Sequence, residues 1–147
     1  MYRRRTRRTR TVNTAGGERR VARLALVRAV VLVVGLLYFV IGLALLLEPE
    51  WFFANVGNFA PYNRHYLGDL GSFLLPLGVG LTLASQDPVR HRMLITIGVA
   101  GSIIHALNHL YDASLGDSAA FWVTDTLPLL ILAGVFLWAL WHLRPRR

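Results

Sequence analysis

The chain has no cysteine and no lysine, and its only methionines are Met1 and Met93. The absence of cysteine excludes disulfides, thiol redox chemistry and the thiolate ligands that favour Cu(I). A metal ion bound by this chain would therefore have to use imidazole and carboxylate groups. All 16 basic residues are arginine.

Charged residues are also missing from most of the chain, because long apolar runs occupy it. Of its 147 residues 54% are hydrophobic, and the mean hydropathy of +0.46 is unusually high for a soluble domain of this length. Each run is close to the ~20 residues that a helix needs to cross the hydrocarbon core of a bilayer. The sequence predicts an all-α bundle of four transmembrane helices, with spans at about 29–47, 66–85, 93–111 and 121–141.

The arginines indicate how the bundle is oriented. Fifteen of the sixteen lie in or next to three segments, namely the N-terminal region, the middle connection and the C-terminal end; Arg64 is the exception. Arginine is enriched in the cytoplasmic segments of membrane proteins. We therefore expect both termini to be cytoplasmic, in a multi-pass protein of a bacterial cytoplasmic membrane.

The chain outside the spans is short, so we expect one transmembrane domain, 23–143, between two basic tails. The tail 1–22 has no apolar period and is predicted to be disordered, and 144–147 is a second basic tail. The N-terminal arginines either form a solvated tail that sets the topology or bind anionic lipid. No nucleic acid is expected as a partner, because no aromatic residue interleaves the arginines to stack on bases.

The first span and the connection after it carry packing signals. Gly35, Tyr38 and Gly42 share one side of the span, which predicts close approach of a neighbouring helix. Pro49 is well placed to open a short surface helix. The aromatic residues that follow it, 51–53, are interpreted as anchors in the membrane interface or, alternatively, as a lid or a partner-binding patch.

Polar residues are concentrated in the third span, in the segment Gly98–Asp112. On a helix with ~100° per residue, one stripe carries Gly98, Gly101, His105, His109 and Asp112. The opposite side, which includes Val99, is expected to face lipid. The small and polar stripe is expected to face other helices.

Two spans each carry a polar pair spaced four residues apart. His65 and Asp69 lie on the second span, and His105 and His109 lie on the third. Residues four apart on a helix are ~5–6 Å apart at Cβ, and the short middle connection makes these spans antiparallel neighbours. The four residues are therefore predicted to bind one divalent transition metal, namely zinc, copper(II), iron or manganese. Alternative or supporting ligands are Asn63, Asp112 and Asp125.

A non-enzymatic alternative explains the same residues. Asp and His near helix ends also bind helices to one another, so the cluster is equally consistent with a polar clamp in an accessory subunit. Such a subunit would pack against a larger membrane complex or form a homo-oligomer. Haem fits less well, because His105 and His109 share one helix face and a partner such as His65 would be required.

The motif Asn63-x-His65-x-x-x-Asp69-x-Gly71, followed on the next span by His105-x-x-x-His109-x-x-Asp112, resembles small four-helix bacterial membrane proteins that are distantly DoxX-like. The resemblance covers roughly residues 30–140. It implies the four-helix fold and these site residues. Because the DoxX family is associated with redox and quinone-linked membrane complexes, it also raises a membrane redox protein using haem or quinone as an alternative.

Overall fold

The computed structural model describes residues 14–57, 59–116 and 122–143. These residues form helices and short turns, with no strand among them. The helices are α1 (Thr14–Leu47), α2 (Pro49–Asn55), α3 (Arg64–Ala84), α4 (Arg92–Ser114) and α5 (Leu127–His142). A π-helical segment, Trp122–Thr126, leads directly into α5 and is called the π turn below.

Among the described residues, four helices are long and apolar enough to cross a membrane, as expected for an integral membrane protein. They are Gly16–Leu47, Arg64–Ala84, Arg92–Ser114 and Trp122–His142. The all-α, four-span prediction is confirmed, and the last three helices begin and end within three residues of the predicted spans. The side on which the termini lie stays a prediction.

The first helix begins much earlier than its predicted span. α1 is helical from Thr14, so the predicted disorder of 1–22 is wrong for residues 14–22, while 1–13 and the predicted tail 144–147 lie outside the described residues. Glu, Arg, Ala and Leu between Glu18 and Leu26 all favour helix. Extending an existing helix is much easier than nucleating a new one, so the span propagates back into the basic segment.

Glycines bring α1 and α3 into the most extensive helix contact of the bundle. A Cβ added at Gly35 would lie 2.6 Å from the backbone nitrogen of Thr82, and one at Gly42 would lie 2.5 Å from that of Leu75. Gly78, on α3, lies directly against the backbone of α1. The predicted close approach along the first span is confirmed, and α3 is the partner.

The other two long helices complete the core around Phe136 of α5, which is fully buried. A Cβ at Gly98 of α4 would be 3.1 Å from the Phe136 ring. α3 and α4, although joined by a short turn, share a much smaller contact than α1 and α3. The buried core cluster consists of Val27, Val31, Val34, Tyr38, Leu81, Ala84, Ile95, Val99, Phe136, Ala139 and Leu143.

The buried face of α4 differs from the predicted one. Val99, predicted to face lipid, is only 3% exposed, whereas Gly101, predicted to face other helices, is exposed and has open space around it. The buried positions are Ile95, Gly98, Val99, Ser102, Ala106 and Ala113. At ~100° per residue, the true face is rotated by roughly 80° from the predicted stripe.

Candidate functional site

A cavity of about 490 Å³ lies inside one end of the bundle. It is bounded by α1, α3, α4, the π turn and the start of α5, at the end where α1 finishes and α3 begins; we call this the cavity end. Most of the lining is apolar. Its polar side chains are Tyr38, Asn63, Tyr66, Ser102, His105, His109, Thr124 and Asp125.

Two histidines from α4 stand side by side in this lining. The ring centroids of His105 and His109 are 4.8 Å apart, with one ring edge facing the other ring. Their four-residue spacing places them on successive turns of one helix face. The ring of Phe59 meets His109 edge-on, with the centroids 5.8 Å apart.

A buried hydrogen bond connects α1 with α4 at the cavity wall. The hydroxyl oxygens of Tyr38 and Ser102 are 2.6 Å apart, and the Ser102 hydroxyl donates to the carbonyl of Gly98 at 2.9 Å. Because a serine hydroxyl has one hydrogen, Tyr38 is the donor to Ser102. Neither residue was among the predicted site residues. The signal in the sequence was a tyrosine in the middle of an apolar span, where a phenol needs a partner.

The π turn carries two more polar side chains into the cavity. Thr124 and Asp125 line it, and the Thr124 hydroxyl donates to the Asp125 carboxylate at 2.6 Å. The fully buried Thr126 donates to the carbonyl of His109 at 3.4 Å, which connects the turn to α4. The wider turn precedes Pro128, whose ring would clash with the carbonyl four residues earlier in a regular α-helix. Single π turns within helices occur frequently at functional sites.

Aromatic residues from α2 and the following loop form part of the cavity lining. Phe52 and Phe53 of α2 line it, together with Phe59 from the loop. Pro49 opens α2, as predicted. Trp51, in contrast, is 54% exposed. Part of the segment after α1 thus contributes aromatic side chains to the cavity wall, while Trp51 is largely exposed.

The structure does not bring the four predicted metal ligands together. His65 and Asp69 are paired with each other, with Nε2 and Oδ2 3.5 Å apart, but their side chains are 81% and 59% exposed and neither lines the cavity. At ~100° per residue they lie roughly 150° around α3 from the glycines that contact α1. Within the described residues, no three His, Asp or Glu side chains form a group arranged to hold a metal ion.

The alternative ligands take separate places. Asn63 caps α3 by accepting hydrogen bonds from the backbone of His65 at 3.0 Å and of Tyr66 at 3.2 Å, so α3 begins after Asn63. Asp112 accepts a hydrogen bond from Asn108 at 3.2 Å. Asn63 and Asp125 line the cavity with the two α4 histidines, whereas Asp112 does not.

Comparison of the chain with protein-family models, with curated proteins and with solved structures gives no match. The part of the chain that the structure describes has the features of an all-α protein with four helices able to span a membrane and a cavity at one end. The DoxX-like resemblance stays a prediction.

Proposed function

We propose that this protein binds a small, largely apolar molecule in the cavity, with a polar head placed among the side chains of His105, His109 and Asp125. The observation that carries the proposal is the cavity itself. Its volume of about 490 Å³ lies within the ~300–1,000 Å³ typical of small-molecule sites. Such sites combine an apolar lining with a few converging polar groups, and this cavity has the same composition.

The polar lining favours an uncharged head that forms hydrogen bonds. A neutral imidazole has one nitrogen that donates and one that accepts, so His105 and His109 suit a hydroxyl, which does both. The carboxylate of Asp125 repels an anionic head in the apolar surroundings. A long-chain alcohol is therefore a better probe of the site than a fatty acid.

The test is a binding measurement with dodecan-1-ol on the detergent-purified protein. Leu37 lines the cavity, whereas its neighbour Leu36 does not, and the two are similarly exposed at 38% and 45%. L37W should fill part of the cavity and weaken binding several-fold, and L36W should bind like the wild type. Dodecanoate should bind more weakly than the alcohol to the wild type at neutral pH.

The measurement can be made by native mass spectrometry, with thermal stabilisation as a second readout. Absence of any bound alcohol in the wild type, with no stabilisation by it, would refute the proposal. Equal binding by L37W and L36W would place the alcohol elsewhere on the protein and would also refute it.

A metal ion is the second candidate, supported by the 4.8 Å separation of the His105 and His109 ring centroids. Of the predicted four ligands, only these two histidines line the cavity, and the described residues hold no third His, Asp or Glu side chain grouped with them around one ion. Elemental analysis of the purified protein tests this proposal. Stoichiometric zinc, copper, iron or manganese that is lost in H105A and released at lower pH, where protons compete for imidazole, would support it.

A further inference from the structure

A second, wholly apolar groove lies between α1 and α5. Its walls are residues 29–34 of α1 and 127–135 of α5, and it has a volume of about 560 Å³. The side chains at its rim are open to the surroundings: Val33 is 62% exposed and Ile131 58%. Both helices are long and apolar enough to cross a membrane, so the medium around this rim is lipid chains.

The groove and the cavity share two residues. Pro128 and Leu132 of α5 border both spaces, so the cavity and the groove lie next to each other along α5. No polar side chain lines the groove, whereas eight polar side chains, including His105, His109 and Asp125, line the cavity. The two spaces together therefore offer a partly polar compartment next to a wholly apolar one.

The depth of the two spaces matches the way in which a lipid lies in a bilayer. On α1 the cavity is lined by Leu37, Tyr38 and Ile41, nearer to the end of the helix, and the groove by residues 29–34, deeper along it. A helix rises 1.5 Å per residue, so the centre of the groove lies further from the cavity end by roughly 10 Å along α1 and by roughly 5 Å along α5. A single-chain amphiphile would keep its head near the membrane surface and its chain towards the middle.

We propose that the groove holds the apolar chain of the ligand whose head occupies the cavity, and that the ligand enters sideways from the bilayer between α1 and α5. This inference rests on the proposed function and adds the class of ligand. The occupant is a single-chain membrane amphiphile with an uncharged head, rather than a water-soluble molecule.

The experiment uses two photoreactive forms of hexadecan-1-ol in vesicles of phosphatidylcholine that contain the full chain. One carries its diazirine beside the hydroxyl, and the other carries it in the middle of the chain. Mass spectrometry should map the first label to the cavity lining and the second to residues 29–34 and 127–135. V33W should reduce the mid-chain labelling several-fold.

V40W is the matched control, since Val40 is also on α1 and 58% exposed but lines neither space. It should leave both labels unchanged. Cavity labelling without groove labelling would overturn the inference and leave the proposed function standing, whereas failure of both labels would overturn both. Mid-chain label spread evenly over all exposed apolar positions would mean ordinary surrounding lipid and would overturn the inference.

Discussion

At the scale of single residues, the buried hydrogen bond between Tyr38 and Ser102 is the clearest polar connection between helices. Its donor and acceptor are 8% and 4% exposed, and they are 64 residues apart in the sequence. It connects two helices, which is what the clamp alternative expected of the His and Asp pairs. The sequence did not reveal the pairing, because nothing local relates position 38 to position 102.

Y38F should therefore lower the free energy of unfolding by about 0.6 kcal/mol, and by up to ~1.7 kcal/mol, the range measured for such bonds within membranes. A double-mutant cycle with S102A, followed by thermal unfolding in detergent, measures the coupling directly. Y111F is the control, since Tyr111 is on α4 and 63% exposed. Additive effects of Y38F and S102A would mean that the bond contributes nothing to stability.

The observed face of α4 reverses the expectation for Val99 and Gly101. V99A should destabilise the protein by about 1–2 kcal/mol through lost core packing. G101A should be neutral, or stabilising by up to ~1 kcal/mol, because alanine favours helix and nothing lies within 4 Å of its Cβ. If G101A unfolds at a lower temperature than V99A, the buried face of α4 is the one expected from the sequence and not the one described above.

At the scale of helices, the contact between α1 and α3 depends on glycines spaced seven residues apart. Gly35 and Gly42 on α1 meet Thr82 and Leu75 of α3, while Gly78 receives the backbone of α1. The α1 half of this contact was predictable, because small residues on one side of a span admit a neighbouring helix. The partner was not, since sequence order favours α3 beside α4 as strongly as beside α1.

G78A tests this contact, because its new Cβ would press on the backbone of α1 and force the helices apart. We expect a loss of about 1–3 kcal/mol, as for other overpacked sites. G68A on the same helix has nothing within 4 Å of the new Cβ and should be neutral. The two variants unfolding at the same temperature in detergent would contradict the close contact.

The π turn and the face of α4 show why the rest of the site was harder to predict. Inside a membrane both sides of a helix are apolar, so the pattern of polar residues only weakly indicates the buried face. On α4 the polar stripe contains the two histidines that line the cavity, and the face buried in the core lies to one side of this stripe. Pro128 was a visible signal, but a regular helical period cannot predict the wider turn that accommodates it.

At the scale of the whole molecule, the four spans were predictable because their length and hydropathy are set by the bilayer. The meeting of His65 and Asp69 with His105 and His109 was a separate expectation, based on equal depth and adjacent helices. It depended on rotation of α3 about its axis, which the glycine contact with α1 determines. The His65–Asp69 pair is consequently turned away from the cavity.

The topology stays a prediction with a direct test. Because fifteen of the sixteen arginines lie at the termini and the middle connection, reporter fusions at Arg147 and near Asp87 should report the cytoplasm. Fusions near Gly57 and Gly116 should report the outside. A fusion at Arg147 that reads external would contradict the predicted orientation.

The unequal helix contacts also have a consequence for the order of assembly during synthesis. The ribosome completes α1 and α3 before α4, and their glycine contact is the most extensive in the bundle. This pair is therefore expected to form a stable hairpin in the membrane while the later helices are still being made. A chain stopped after Gln86 should already be resistant to protease at this hairpin, whereas the cavity, which needs α4 and the π turn, is the last part of the molecule to be built.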